Sequence, residues 1–370
     1  MRILIVLHKA KKKGGAVLQN LKMADAFKDK GNMVSIFAFD SLSLTKNPIV
    51  NFKIILKSLK SRIEFFKPTI ILSTDPIITS SLAILASRKK NIPIFIRIGA
   101  VYDSFYAARI VERISPERIF SSLFYFLKYA LNRFSRLIFK KISLVVFNSQ
   151  FLKKKYYSIA PHSIVIYNGI EKPIKQNVRT KLPIELVYVG RIEPRKSIEL
   201  IIESLNILNE KKIKFKFSII GNTLQFSSYW KKISQLIVKY DLVDKIDLIG
   251  EIDNKTLPSL LSKHDILLFS TDERNFPMTE GLPNVVLEGM SNGLAIIATP
   301  VAGLPEIINK SNGFLFEPKE EIFAEKIIFL MENKEIMQEM KLQNIVYISN
   351  HFLIQNTVEK YLLAFKKHKV

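Results

Sequence analysis

Residues 184–222 read IELVYVGRIEPRKSIELIIESLNILNEKKIKFKFSIIGN. An almost continuous apolar run from Ile184 to Val189 meets a turn containing Pro194. "SIELIIESLNILNEKK" then sets apolar residues at helical spacing, and "FKFSIIGN" supplies a second apolar run. A strand without polar alternation must be covered on both faces, and a helix between two such strands returns the chain parallel to its first pass. This unit alone predicts a doubly wound parallel α/β sheet. The alternation continues C-terminally through "KIDLIGE", "DILLFS", "LAIIAT" and "GFLFE". It extends N-terminally through "RILIVLH", "NMVSIFAFD", "PTIILSTD", "IPIFIRIGA", "ISLVVFNS" and "SIVIYNG". Between the two series, "IEKPIKQNVRTKLP" is polar and aperiodic, as a linker is.

The expected architecture is therefore α/β, two Rossmann-like doubly wound parallel-sheet domains facing a central cleft. An N-terminal domain spans 1–170, a linker 171–183 and a C-terminal domain 184–350, with a helix at 351–370 packing back on the first domain. In such sheets ligands bind outside the carboxyl ends of the strands, which places the site just after Gly190, Gly221, Gly250, Ser270 and Thr299.

Length and composition agree with this. At 370 residues the chain exceeds one ordinary core, and its 48% hydrophobic residues fall in short, evenly spaced runs. No run reaches membrane-spanning length, and "RILIVLH" followed by "KAKKK" lacks a signal cleavage site, so a cytoplasmic protein is expected. The absence of cysteine excludes disulfides, thiolate metal sites and cysteine nucleophiles. A net charge of +23, from 56 Lys and Arg against 33 Asp and Glu, favours phosphorylated ligands, nucleic acid or an anionic membrane. No nucleic-acid-binding module accompanies it, and a composition rich in Lys, Ile, Asn and Phe accounts for part of the excess.

Within this cationic chain, residues 276–293, FPMTEGLPNVVLEGMSNG, hold two glutamates eight positions apart. "TDERNFPMTEGL" is the loop after the strand "DILLFS". "PNVVLEGMSN" is a short helix, with Pro283 suited to its first turn and Gly293 to its stop. Free amides and the dipole at a helix start attract an anion such as phosphate, while Glu280 and Glu288 are bidentate acceptors suited to sugar hydroxyls. A solvated loop charge and a surface helix residue are the plainer roles for the same two side chains. In "VGRIEPRKS", Arg191 and Lys196 flank a proline turn at a strand's carboxyl end, where two cations can clamp a diphosphate or simply lie solvated.

Taken together, "VGRIEPRKSIELIIESL", "IIGN", "LIGEID" and "EGLPNVVLEGMSNGLAIIATPVAGLPEII...NGFLFEP" resemble the nucleotide-sugar half of the retaining glycosyltransferases of family 4, which have the GT-B fold. Gly14 and Gly15, "FNSQFLKKKY" and "IYNGIE" fit the acceptor half of that family. The resemblance implies that Arg191 and Lys196 neutralise the donor diphosphate, that Glu288 takes the ribose hydroxyls, and that Glu280 takes hydroxyls of the transferred sugar. It places Gly281, Leu282 and the amides near Pro283, Asn284 and Val285 at the phosphates, although Pro283 has no N–H to give. Gly14 and Gly15 would let the first turn approach the donor, and Gly190, Gly221, Gly250 and Ile252 would border the nucleotide. Many members carry a histidine after the fourth strand of the acceptor domain. This chain has "RIGAVYDSFY" there, so Arg97, Tyr102 and Asp103 are the acceptor-pocket candidates and no catalytic histidine is carried over.

The implied reaction is a retaining transfer from a UDP- or GDP-linked sugar, hexosyl or N-acetylhexosaminyl, to a glycan or lipid-linked glycan of the cell envelope. The donor phosphate would take the acceptor's proton. With no Asp-x-Asp pair in the chain, cations replace a metal, and neither metal nor cofactor is expected. A sugar-nucleotide epimerase or a non-catalytic sensor needs the same donor grip. A glycoside hydrolase would use two carboxylates but not the cations.

Residues 118–141, RIFSSLFYFLKYALNRFSRLIFKK, carry six cations, seven Phe or Tyr and no acid. On a helix Arg118, Arg133, Arg136 and Lys140 share a sector of roughly 60 degrees, a basic face that suits an anionic leaflet or plain solvent. The absence of any acid favours the first reading, the resemblance adds relatives that act at the cytoplasmic membrane face, and peripheral membrane association is therefore expected.

Overall fold

The computed structural model describes residues 1–10, 14–102, 121–172, 183–224, 226–272 and 280–368. These divide into two compact units. The first comprises Met1–Gly169, Pro277–Leu282 and Ile354–Val370, and the second Ile170–Phe276 and Pro283–Leu353. Residues 280–282, inside the span read as the C-terminal domain, therefore count with the first unit.

The first unit is built on a six-stranded sheet in the order β2-β1-β3-β4-β5-β6. The strands are β1 (Arg2–Leu7), β2 (Met33–Ala38), β3 (Ile70–Ser73), β4 (Ile94–Ile98), β5 (Leu144–Phe147) and β6 (Ser163–Val165). All pairings are parallel. The continuous apolar character of β1 has a simple cause. Ile3, Ile5 and Leu7 pack on one face with Phe27, Val358, Tyr361 and Phe365, while Leu4 and Val6 pack on the other with Leu59, Ile63 and Leu82. Successive side chains point to opposite faces, so helices on both sides require apolar residues at every position. Helix Gly15–Asp29 stops at Gly31, whose φ of +75° closes the turn through Gly31 N–H to Lys28 O and Asn32 N–H to Phe27 O.

The second unit repeats the plan in the order β12-β11-β10-β7-β8-β9. Its strands are β7 (Ile184–Val189), β8 (Phe215–Ile220), β9 (Ile246–Gly250), β10 (Ile266–Phe269), β11 (Ala295–Ala298) and β12 (Gly313–Leu315). All are again parallel. Ile184, Leu186, Tyr188, Phe217, Ile219, Ile266 and Leu268 form its core with the helices Ile198–Glu210, Ser227–Lys239 and Glu320–Glu332. At the amino end of the strands, Asp265 joins four elements. Its amide donates to Glu185 O at 2.7 Å, and its Oδ2 accepts from Glu185 N–H at 3.1 Å. Its carbonyl accepts from Ala295 N–H at 2.9 Å, and its Oδ1 lies 2.7 Å from Lys341 Nζ on the helix Lys334–His351. Asp265 and Lys341 are both buried, so each charge answers the desolvation of the other.

Every strand expected from the sequence forms, and the two parallel sheets are those of the GT-B architecture. The strand order adds what periodicity could not supply. The winding direction reverses between β1 and β3 in one sheet and between β7 and β10 in the other. Loops leaving the carboxyl ends on either side of such a reversal diverge and leave a crevice, the usual ligand site of open α/β sheets.

Candidate active site

At the reversal in the second unit, β7 ends at Val189, and a short 3-10 turn, Pro194–Lys196, precedes helix Ile198–Glu210. Ser197 sits between them in the left-handed region, with φ 41°. Its amide bonds to Pro194 O and Lys196 N–H to Glu193 O, which holds the strained corner. The loop after β10 is tied to it. Ser270 Oγ donates to Lys196 O at 2.5 Å, and Asp272 N–H donates to Arg195 O at 3.1 Å.

The charges of this turn are ordered by burial. Glu193 is buried and receives Arg191 at 2.9 Å on Oε2 and Arg195 at 2.9 Å on Oε1. Arg195 is buried with it, whereas the Arg191 side chain is 57% exposed. Lys196, only 5% exposed, holds its ammonium 4.6 Å from the centroid of the Phe269 ring at the end of β10. A buried carboxylate between two guanidinium groups, and a buried ammonium on a ring face, bring Arg191, Glu193, Arg195 and Lys196 together in this corner. Arg191 and Lys196 were expected here from spacing. Arg195 and Glu193 were not, because "RIEPRKS" does not disclose which of its charges turns inward.

The neighbouring strand ends are packed backbone to backbone. Gly190 N–H donates to Ile220 O and Gly221 N–H to Gly250 O. A Cβ on Gly221 would fall 2.0 Å from Gly190 O, so this glycine is required by the strand ends themselves. Gly250 has φ +80°, which demands glycine, and Ile252 beyond it is half-buried.

Helix Asn284–Ser291 follows β10. Pro283 occupies the cap position rather than the first turn, with φ −66° and ψ 117°, so Asn284 is the first helical residue. The cap supplies no side-chain acceptor to the first turn, whose Asn284 and Val285 are half-buried. Glu288, one turn in, is half-buried as well. Gly293 ends the helix at φ +67°, with Gly293 N–H bonded to Met290 O and Leu294 N–H to Gly289 O.

In the first unit, Glu280 forms an antiparallel bridge with Ala100 beyond β4, and Gly281 N–H donates to Gly99 O at 3.1 Å. Gly281 has no room for a side chain, since a Cβ would lie 2.1 Å from Asn148 Oδ1 and 2.7 Å from Gly99 O. Leu282 is buried, and its carbonyl lies 3.5 Å from Asn168 Nδ2. Gly14 caps helix Gly15–Asp29 in an extended conformation, and a Cβ there would meet open space.

Two acceptor-pocket candidates lie in the interior. Arg97 is buried, donating to Asn20 Oδ1 at 3.3 Å and Asn168 Oδ1 at 2.6 Å. Burial lowers its affinity for the proton, opposed by Tyr361 beside it, and burial pushes the Tyr361 phenol up to about 12. Tyr102 is buried in stacking contact with Tyr156 at 4.7 Å, and its hydroxyl is 3.5 Å from Asn132 Oδ1. Asp103 lies outside the described residues.

Helix Ser121–Phe139 accounts for most of the basic stretch, and Arg118 lies outside the described residues. Ser135, Ile138 and Phe139 are buried, whereas Arg133, Arg136 and Lys140 are exposed together with Phe126, Tyr129, Phe134 and Leu137. Among the described residues no group of three or more His, Asp or Glu could hold a metal ion, and no helix is long and apolar enough to cross a membrane.

Two parallel sheets, each with its reversal point, define a GT-B architecture, and solved structures share it. Anabaena HepE, crystallised in complex with UDP, superposes with a TM-score of 0.75 at 16% identity over 99% of this chain and 100% of that one. Residues 170–345, which contain the cationic turn and helix Asn284–Ser291, match the family model of the glycosyl transferases, group 1. An uncharacterized glycosyltransferase of Methanocaldococcus jannaschii is 31% identical over 57% of this chain and 54% of its own length. Protein CapJ of Staphylococcus aureus is 24% identical over 92% of this chain and 82% of its own. The chain thus spans about half the length of the archaeal relative.

Proposed function

We propose that this protein is a glycosyltransferase that moves a hexosyl or N-acetylhexosaminyl group, with retention, from a nucleotide-sugar to a glycan or lipid-linked glycan in envelope polysaccharide synthesis. The observation that carries the reading is the cationic corner at the β7/β10 reversal, with Lys196 buried against Phe269 and Glu193 held between Arg191 and Arg195. A diphosphate leaving group gains charge as its bond to the sugar breaks, and preorganised cations in a desolvated corner stabilise that change without a metal. Lys196 and Arg191 meet the diphosphate. The amides of Asn284 and Val285 reach its oxygens, Glu288 takes the ribose hydroxyls, and Glu280 takes hydroxyls of the transferred sugar. Gly14, with open space where a Cβ would stand, admits the donor closely.

The solved complexes of the Anabaena neighbour with UDP and with UDP-glucose support a uridine donor, with a guanosine-linked donor second. The name of the Salmonella typhimurium relative, a putative colanic acid biosynthesis glycosyltransferase, supports an exopolysaccharide acceptor. The exposed basic and aromatic face of helix Ser121–Phe139 suits docking on the anionic inner leaflet.

The test is thermal stabilisation of the purified chain by UDP-, GDP- and ADP-sugars, repeated with Glu288→Ala. One nucleotide class should raise the melting temperature of the wild type and not that of the variant. No stabilisation by any of them, or equal stabilisation of both proteins, overturns the reading. Conversion of donor alone into an isomeric sugar nucleotide identifies an epimerase instead.

A further inference from the structure

Two consecutive residues at the end of β10 take hold of Lys196 at both of its ends. The Phe269 ring lies 4.6 Å from the ammonium, while Ser270 donates its hydroxyl to the Lys196 carbonyl at 2.5 Å and to the Ser197 carbonyl at 3.1 Å. Ser270 is fully buried. A buried hydroxyl requires a protein acceptor, and here one proton is shared between two carbonyls of a single turn. Bonds to the backbone run through the rest of the turn as well, from Tyr188 Oη to Arg191 O at 2.8 Å and from Asp272 N–H to Arg195 O at 3.1 Å.

The far side of the turn is held from another helix. Ser197 caps helix Ile198–Glu210 without a side-chain bond to it, and the first helical amide, Ile198 N–H, donates instead to the phenol oxygen of Tyr229 at 2.8 Å. Tyr229 lies in helix Ser227–Lys239 and is buried. Its own proton goes to Glu199 Oε2, and the other oxygen of that carboxylate lies 3.1 Å from Lys232 Nζ. Burial, and then the bond to Glu199, push the phenol up, so at neutral pH it remains a donor.

Between these two hydroxyls stands the strained residue. Ser197 has φ 41° and ψ 51°, left-handed values that a residue other than glycine keeps only where its surroundings over-determine them. Lys196 directly precedes it, so a relaxation at Ser197 would turn the Lys196 backbone against the helix and carry the ammonium off the Phe269 ring. Filling a strand end accounts for Ser270, and capping a helix accounts for Tyr229. Neither accounts for two buried hydroxyls from different elements converging on residues 196–198, beside a lysine whose ammonium is fixed by the neighbour of one of them.

We propose that Ser270 and Tyr229 are positioning residues for the donor diphosphate that act through Lys196, by holding Ser197 in its left-handed conformation. The proposal deepens the transferase reading above and rests on it. In this role neither hydroxyl touches the donor, and their influence passes through one backbone corner. Loss of either hydroxyl therefore weakens donor binding only while there is a lysine to misplace, and the effects are not additive.

The test is calorimetric binding of UDP, GDP and ADP to the purified full chain, with the tightest of the three used throughout. Wild type is compared with Ser270→Ala, Tyr229→Phe, Lys196→Ala and the two doubles that join Lys196→Ala to each of the others, with circular dichroism to establish that each is folded. Ser270→Ala and Tyr229→Phe should each weaken binding roughly tenfold, and Lys196→Ala by more. In the Lys196→Ala background the same two changes should alter binding by less than about twofold. A role in general stability alone would show equal losses with and without Lys196. Tyr229→Phe removes a single oxygen, and it decides the question by the same comparison if Ser270→Ala does not fold. Wild-type affinity in the folded single variants, or equal losses in the two backgrounds, overturns this proposal alone, provided that Lys196→Ala itself weakens binding. Wild-type affinity in Lys196→Ala, or a wild-type chain that binds none of the three nucleotides, overturns the reading of this turn as the diphosphate site and the proposal with it.

Discussion

The ammonium of Lys196 lies 4.6 Å above the centre of the Phe269 ring, so a residue from the loop after β7 and one from the end of β10 meet across the reversal of the second sheet. The ring fixes the position of the cation. Lys196→Ala should lower kcat/KM by on the order of a hundredfold or more with the fold intact. Phe269→Leu, which keeps bulk but removes the ring quadrupole, should cost less, roughly tenfold. Steady-state kinetics alongside circular dichroism decide the point, and full activity in folded Lys196→Ala removes this residue from the donor site.

Gly221 is required by backbone packing. Its Cβ would stand 2.0 Å from Gly190 O, an atom that cannot rotate away. Gly221→Ala should therefore destabilise the chain by about 1–3 kcal/mol, seen as a lower urea midpoint at unchanged slope. An unchanged midpoint would mean that the strand ends separate freely.

Chelation separates cation-based from metal-based diphosphate binding. Arg191, Arg195 and Lys196 gather in the turn proposed to bind the diphosphate, so transfer should proceed unchanged in EDTA. Loss of activity restored by manganese or magnesium would assign the diphosphate charge to a metal.

On helix Ser121–Phe139, Arg133, Arg136 and Lys140 share an exposed face with Phe126, which is 65% exposed, and with Tyr129 and Leu137. The chain should bind anionic vesicles in a salt-sensitive way. Changing the three cations to serine removes about 1 kcal/mol each, a weakening on the order of a hundredfold. Equal binding to neutral and anionic vesicles, in a flotation assay at low salt, would leave the face without a lipid role.

Twelve strands were legible because each is apolar at nearly every position, and only a sheet covered on both faces asks for that. Glycine-closed helix ends such as Gly31 and Gly293 were legible for a local reason, the left-handed φ. What the sequence withheld depends on residues far apart in the chain. Arg97 was read as an acceptor-pocket residue, and the bonds that hold it in the interior come from Asn20 and Asn168, distant in sequence. Glu280 was grouped with Glu288 by proximity, yet it is bridged to Ala100 within the first unit, whereas Glu288 belongs to the second. Glu193 and Arg195 escaped notice because a turn of alternating charges gives no periodicity from which burial can be read.

Asp265 fastens β7, β10, β11 and the helix Lys334–His351 at the amino end of the second sheet, the end opposite the cationic turn. Cohesion and recognition are thereby assigned to different ends of the same strands. Residues such as Ile252, Asn284 and Val285 can be exchanged in evolution, or by design, without disturbing the clasp that keeps the sheet together. With the donor where we propose it, chimeras that graft carboxyl-end loops between relatives should keep their melting behaviour while exchanging their nucleotide preference.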